Sequence, residues 1–348
     1  MSECEDRPHN PWDGCNGARL HIVTGKGGTG KTTAATALAV ALASGGGRIL
    51  LVEVEGRQGV AALLGRSPLP YEEREMLSAP GGGRVNVLAA DAESALLEYL
   101  EMFYGIRRAG RALTKLGVVD FATTIAPGVR DVLLTGKATE TVRRQQGARK
   151  RSSADLSTGP FHYDAVVMDA PPTGRIARFL NVNSEVVGPA RVGPIRAHAD
   201  KVMEVIRSEW TRVHFVTLLE EMPAQETRDG IAEVTELGLE VGTLMMNMVR
   251  PSFLGEEELE AVATGSWDRA ELAAGLEAVG LESAREITAP LGDELRAHAL
   301  RVSLERHVRE ELLGLERPTL KLPLLRNGVT ASSLDTLARA LIDQGVHR

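Results

Sequence analysis

The residues with the most distinctive chemistry form one run, Gly25-Lys26-Gly27-Gly28-Thr29-Gly30-Lys31-Thr32, which fits G-x-x-x-x-G-K-[ST]. Such a loop curls so that backbone N–H groups point inward at phosphate oxygens, and the helix it opens adds its positive end at the same place. Gly25, Gly27, Gly28, Thr29, Gly30, Lys31, Thr32 and Thr33 are the candidate phosphate cradle. Lys31 would reach the β- and γ-phosphates, and the Thr32 hydroxyl would ligate Mg²⁺. Two of the chain's seven lysines stand in this loop, while arginine fills most other basic positions. A compact ammonium on a flexible stem suits a crowded phosphate better than a guanidinium fork.

A second candidate lies in Met168-Asp169-Ala170-Pro171-Pro172-Thr173-Gly174. The apolar run before it reads as a buried strand, which delivers Asp169 to the sheet edge where open α/β sheets bind ligands. There Asp169 can hold Mg²⁺ through water. Pro171 and Pro172 stiffen the chain beside Gly174, whose backbone N–H could meet a γ-phosphate and move once that phosphate leaves.

These residues need a scaffold, and the surrounding pattern supplies one. Leu20–Thr24 is a short β-branched run ending at glycines, and Thr32–Ser44 is an Ala/Leu-rich helix stopped at Gly45-Gly46-Gly47. Arg48–Val54 is a second buried strand. Further strands are expected at Arg84–Ala89, Tyr163–Met168, Val213–Leu219, Val241–Met246 and Leu320–Leu322, with helical stretches between them. This is the rhythm of an α/β fold with a doubly wound, mostly parallel sheet flanked by helices; joined to the glycine loop above, it resembles the P-loop NTPase fold. Helical insertions are expected at about 91–150 and 251–316, within a single domain spanning 19–348. Residues 1–18 read as a flexible leader, and Gln145–Thr158 as a flexible loop.

Composition narrows the function. The chain has 348 residues, 43% hydrophobic and 25% charged, which is globular and not disordered. Its net charge of −7 argues against nucleic-acid binding by bulk charge. Two cysteines, Cys4 and Cys15, exclude a disulfide framework and a four-cysteine metal site in one chain. The leader lacks the pattern of a secretory signal, and no apolar run is long enough to insert in a membrane. The expectation is a cytoplasmic protein. Ala331–Gln344 is amphipathic but carries one basic residue, so it reads as a packed terminal helix.

Lys26–Thr32, as K-G-G-[TV]-G-K-[ST], resembles the loop of one branch of P-loop ATPases. That branch includes the arsenical-pump ATPases, the tail-anchored-protein-targeting ATPases, the MinD and ParA partitioning ATPases and the nitrogenase iron protein. Within it, Met168–Leu180 (MDAPPTGRIARFL) is similar to the D-T-A-P-T-G-H-T-L-R-F-L stretch of the ArsA-like group. The resemblance covers about Leu20 to Gln344. It implies ATP and Mg²⁺ as ligands, with Lys26, Lys31, Glu55 and Asp169 as the catalytic set and Thr32 and Asp169 at the metal. It implies that Lys26 crosses a dimer interface to the partner's nucleotide. It also implies that Pro172 and Gly174 meet phosphate, that Asn247 contacts adenine, and that Pro323 lies beside the base. Ile125-Ala126-Pro127-Gly128, followed by Asp131, resembles the family's P-G-x-x-E helix start.

Several departures matter. The family's D-P-A after the second strand, whose Asp positions the attacking water, is replaced by Glu55-Gly56-Arg57. The carboxylate is kept one methylene further out, and a misplacement of about 1 Å can cost on the order of a hundredfold in rate. Glu55 could alternatively be a solvated charge after a strand. No cysteine cluster for metalloid and no C-x-x-C zinc pair is present. The resemblance implies a homodimer, or a heterodimer with a related ATPase chain, that couples ATP to an unknown client or membrane-partner protein. Two alternatives stay open: an ATP-dependent dimerising interaction protein with negligible hydrolysis, and a MinD- or ParA-like positioning ATPase. Leu96–Tyr104 holds three of the chain's 13 aromatic residues. It reads as a helix packed on two sides or as part of a client surface.

Overall fold

The short apolar runs become the parallel strands, and the longer segments between them supply the covering helices. In the computed structural model, which describes residues 10–104, 127–146, 160–182, 194–326 and 328–348, eight strands form one sheet. They are β1 (Leu20–Gly25), β2 (Arg48–Glu53), β3 (Arg74–Ala79), β4 (Gly83–Ala89), β5 (Ala165–Asp169), β6 (Thr211–Thr217), β7 (Val241–Val249) and β8 (Thr319–Pro323). Their order is β3-β4-β2-β5-β1-β6-β7-β8, and only β3 runs antiparallel. β1 is therefore central, paired with β5 on one side and β6 on the other.

Alternation sorts the strand side chains between two cores. Leu20, Ile22, Leu50, Val52, Val166 and Met168 face one of them. Helices α4 (Pro127–Arg143), α5 (Thr173–Leu180), α6 (Pro194–Ile206) and α7 (Glu221–Glu236) cover that side through Val132, Ile176, Ala199 and Ile231. Val23, Ile49, Leu51, Val167, Met245 and Leu320 face the other, under α1 (Lys31–Ala43) and the terminal helix α11 (Ala331–Asp343). Helix α1 is buried almost all round, as its run of alanines requires. Leu334, Leu337, Ala338 and Leu341 of α11 are buried, so its apolar stripe is spent on packing.

Sequence periodicity misses two elements. Strand β3 (REMLSA) is a half-exposed edge with a register shift between Glu75 and Leu77, so alternation is broken there. Helix α2 (Gly59–Leu63) is only five residues long.

The expected flexible leader does not extend to residue 18. From Asn10 the chain is packed: Trp12 is 1% exposed and its indole N–H donates to the His347 carbonyl at 2.7 Å, tying this segment to the residues after the last helix. Trp12 stacks on His21 and His214, with ring centroids 5.3 and 5.4 Å away. The backbone N–H of Thr243 donates to Nδ1 of His214 at 3.1 Å, so the His214 proton sits on Nε2 and is donated to Nδ1 of His21, also at 3.1 Å. Both rings are held neutral. Burial pushes His21 down to about 4, against a bond to the Ala18 carbonyl, and pushes His214 well below its ordinary value. The unfolded chain takes up these protons near pH 6.5 and the folded one does not. Stability is therefore full above pH 6.5 and is lost as pH falls toward 4. Between pH 7 and pH 5 urea unfolding should lose about 2 kcal/mol of stability through His21, with His214 adding in the same direction. A midpoint that does not move over that range would disprove the neutral stack.

The two helical regions differ in how they attach. In α3 (Ala92–Tyr104), Ala95, Leu96 and Tyr99 pack on Val129 and Leu133 of α4. That gives the packed reading of Leu96–Tyr104 its support; the side chains of 102–104, and residues 105–126 with Ile125 and Ala126, lie outside the described residues, as does the expected loop from 147 to 158. Glu98 of α3 accepts from the Lys137 ammonium at 2.8 Å and from the Tyr71 hydroxyl at 2.9 Å. The later region comprises α8 (Glu256–Thr264), α9 (Arg269–Ala278) and α10 (Ala284–Leu313), with a small core of Leu259, Val262 and Ala299. Ion pairs Arg250–Glu305 and Arg228–Glu311 fasten α10 to the sheet domain.

Candidate nucleotide-binding site

The candidate residues gather where β1, β2, β5, β7 and β8 end. β1 stops at Gly25, where a Cβ would run into the Val216 carbonyl of β6. The loop then folds on itself, with the Thr29 hydroxyl donating to the Lys26 carbonyl at 2.9 Å. Gly30 closes the loop at φ 83°, a conformation that favours glycine, and a Cβ there would strike the Asn247 amide. Helix α1 starts at Lys31, with Thr32 and Thr33 in its first turn, so its free N–H groups and positive end face the loop.

Asp169 ends β5, level with Val23 of β1 and Glu53 of β2. Its Oδ2 accepts from the Thr32 hydroxyl at 2.6 Å. Its Oδ1 is buried with no hydrogen-bond partner. Burial, joined by the charges of Glu53 and Glu55, pushes the Asp169 carboxyl up to about 6, against the Thr32 bond and the Lys31 charge. An ionised carboxylate with a bare buried oxygen is costly without a cation. The residues present therefore fit Mg²⁺: a threonine hydroxyl and one carboxylate, leaving the remaining positions to phosphate and water, as this ion prefers. Among the described residues no cluster of three His, Cys, Asp or Glu forms a self-contained metal cage.

Glu55 reaches the same place. Its side chain is 16% exposed and lies between Arg57, at 3.8 Å, and Arg175 of α5, at 4.0 Å. It is not a solvated surface charge. Its field and that of Asp169 favour the ammonium of Lys31, while burial pulls the Lys31 pKa down. Glu53 was missed by sequence reasoning. It is 3% exposed and accepts from the N–H groups of Gly59, at 2.6 Å, and Val60, at 3.3 Å, so it seats α2 beside Thr32. The available signal was an acid at the end of the apolar run RILLVE.

Two further candidates have partners on and beside the loop. Lys26 points to α7, where its ammonium lies 2.9 Å from Glu226. Asn247 donates to the Thr29 carbonyl at 2.8 Å and accepts from the Met248 N–H at 2.9 Å. In this way it braces the phosphate loop. Met248, immediately after, holds a left-handed φ of 56°. Pro323 ends β8 level with Val249 of β7, so it stands at the same edge as Asn247. Pro172 precedes α5; the Thr24 hydroxyl fixes this turn by donating to the Pro171 carbonyl at 2.7 Å, and Gly174 is exposed with open space around it.

A glycine loop between a central parallel strand and a helix, with an acidic strand end beside it, defines a P-loop NTPase. Residues 18–208 match the protein-family model described as anion-transporting ATPase. The chain is 47% identical to the ATPase BagA of Mycobacterium tuberculosis, across 95% of this chain and 94% of that protein. It is 26% identical to an arsenical pump-driving ATPase of Acidiphilium multivorum, across 73% of this chain and 44% of that protein. For an arsenical pump-driving ATPase of Escherichia coli the figures are 27%, 73% and 44%. The chain belongs to the ArsA-like family of anion-transporting ATPases.

Proposed function

We propose that the protein is a cytoplasmic Mg²⁺-dependent ATPase that closes as a dimer on ATP and passes that change to a client or partner protein. The observation that carries this reading is the convergence of Lys31, Thr32, Asp169 and Glu55 at one sheet edge while the Lys26 ammonium pairs with Glu226 of α7. The bound metal would neutralise phosphate charge. Lys31 and the loop N–H groups hold the β- and γ-phosphates, and Glu55 orients the attacking water. Gly174 senses the γ-phosphate at the start of α5. A lysine unused by its own site is suited to a neighbour's, as an arginine finger is. The partner chain is a second copy or a related ATPase.

Two measurements test this. With a non-hydrolysable ATP analogue and Mg²⁺, sedimentation should report a dimer, and with no nucleotide a monomer. Glu55→Gln should lower hydrolysis of radiolabelled ATP on the order of a hundredfold while preserving the ATP-dependent dimer. A monomer under both conditions refutes the dimer, and undiminished turnover removes Glu55 from the chemistry. Glu55→Asp, which shortens the reach by one methylene, separates slow chemistry from a binding switch: turnover rises only if water orientation is limiting.

A further inference from the structure

We infer that Glu226 is a positioning residue that stores the Lys26 ammonium on its own subunit until the start of α5 moves, so that the Lys26–Glu226–Thr173 contact restrains dimer closure. This inference rests on the reading that Lys26 acts across a dimer.

Glu226 lies in the second turn of α7 and divides its carboxylate between two elements. Oε1 is 2.9 Å from the Lys26 ammonium in the phosphate loop. Oε2 accepts from the Thr173 hydroxyl at 3.3 Å, at the first residue of α5. One turn along α7, Gly230 lets the two helices approach: a Cβ there would come within 3.2 Å of the Thr173 methyl. So α7 is seated against the residue that precedes Gly174. If Gly174 captures a γ-phosphate, Thr173 must shift with it and draws on the carboxylate that also holds Lys26. The side chains of Lys26 and Glu226 are 28% and 38% exposed. A half-exposed pair of this kind is worth a small factor, which is what a reversible restraint needs. A fully buried pair would be too costly to open on each cycle.

The test uses the whole chain, as wild type, Glu226→Gln, Glu226→Asp, Lys26→Ala and the Lys26→Ala/Glu226→Gln double variant. The first arm is nucleotide-free. Brief acetylation followed by peptide mass spectrometry should show Lys26 modified on the order of two- to fivefold faster in Glu226→Gln, with Glu226→Asp near wild type. Lys137, paired with Glu98 on a remote helix, serves as the folding control and should not change. The second arm titrates a non-hydrolysable ATP analogue against dimer formation. The half-maximal concentration should fall two- to fivefold in Glu226→Gln and should not respond to the same change in the Lys26→Ala background. Unchanged Lys26 labelling overturns the inference, as does a shift in dimerisation that survives without Lys26. If wild type forms no dimer with the analogue, the dimer reading has failed, and the labelling arm still decides whether Glu226 holds Lys26.

Discussion

Lys31→Ala is expected to reduce ATP hydrolysis by at least a hundred- to a thousandfold, the loss typical of removing one preorganised charge-stabilising group. The geometry explains why the effect should be this large. Lys31 is 9% exposed, at the first turn of a helix whose positive end already faces the loop, and its charge lies among the carboxylates of Asp169 and Glu55. Burial strips its water, so each unit of charge it presents to phosphate counts for more than at a surface. Without it, Asp169 and Glu55 would repel an incoming triphosphate with only the loop N–H groups, and any cation that the nucleotide carries, in opposition. Hydrolysis of radiolabelled ATP by the purified variant, with a melting curve to show that it is folded, checks this. Wild-type turnover would refute the assignment of the whole cradle.

Lys26→Ala is expected to cost a comparable factor, on the order of a thousandfold if it acts as arginine fingers do, while ATP affinity changes only a few-fold. The asymmetry follows from its partner: its ammonium pairs with Glu226 of α7. Mixing gives the decisive measurement. Lys26→Ala and Lys31→Ala subunits are each inactive alone. In a mixed dimer, the subunit with intact Lys31 receives an intact Lys26 from its partner, so one working site is rebuilt. Activity should return on mixing to a fraction set by the share of mixed dimers. No recovery, with mixed dimers present by mass, would place Lys26 in its own subunit's site.

Much of this site is legible in the order of residues because the loop is local. Gly25 to Thr32 are consecutive, and the strand before and the helix after are set by β-branched and alanine-rich runs that need no distant partner to be recognised. Asp169 was legible for the same reason, as the end of an apolar strand followed by Pro171-Pro172. The parallel strands were readable through their buried runs, whereas β3 was not: an edge strand with one irregular register carries no clean alternation.

Other features exist only through long-range contacts. That Asn247 braces Thr29 depends on β7 ending beside a loop 218 positions earlier in the chain. That Glu226 meets both Lys26 and Thr173 depends on α7 packing against α5, and no spacing in the sequence encodes it. Glu53 and Glu55 look alike as letters two apart. β2 is buried on both faces, so Glu53 at its end is covered and takes the N–H groups of α2, while Glu55, past the strand end, lies between Arg57 and Arg175. The leader shows the same division. Asn10 to Cys15 is polar and glycine-bearing in sequence, yet Trp12 finds a slot between two histidines and a terminal carbonyl that only the closed sheet assembles. The sequence by itself determined the loop, the aspartate that ends β5 and the parallel sheet, because each is written in neighbouring residues or in one run's periodicity. Tertiary structure alone decided which carboxylate faces Lys31, which one holds Lys26 and what Asn247 supports, because those choices are made by packing between elements far apart in the chain.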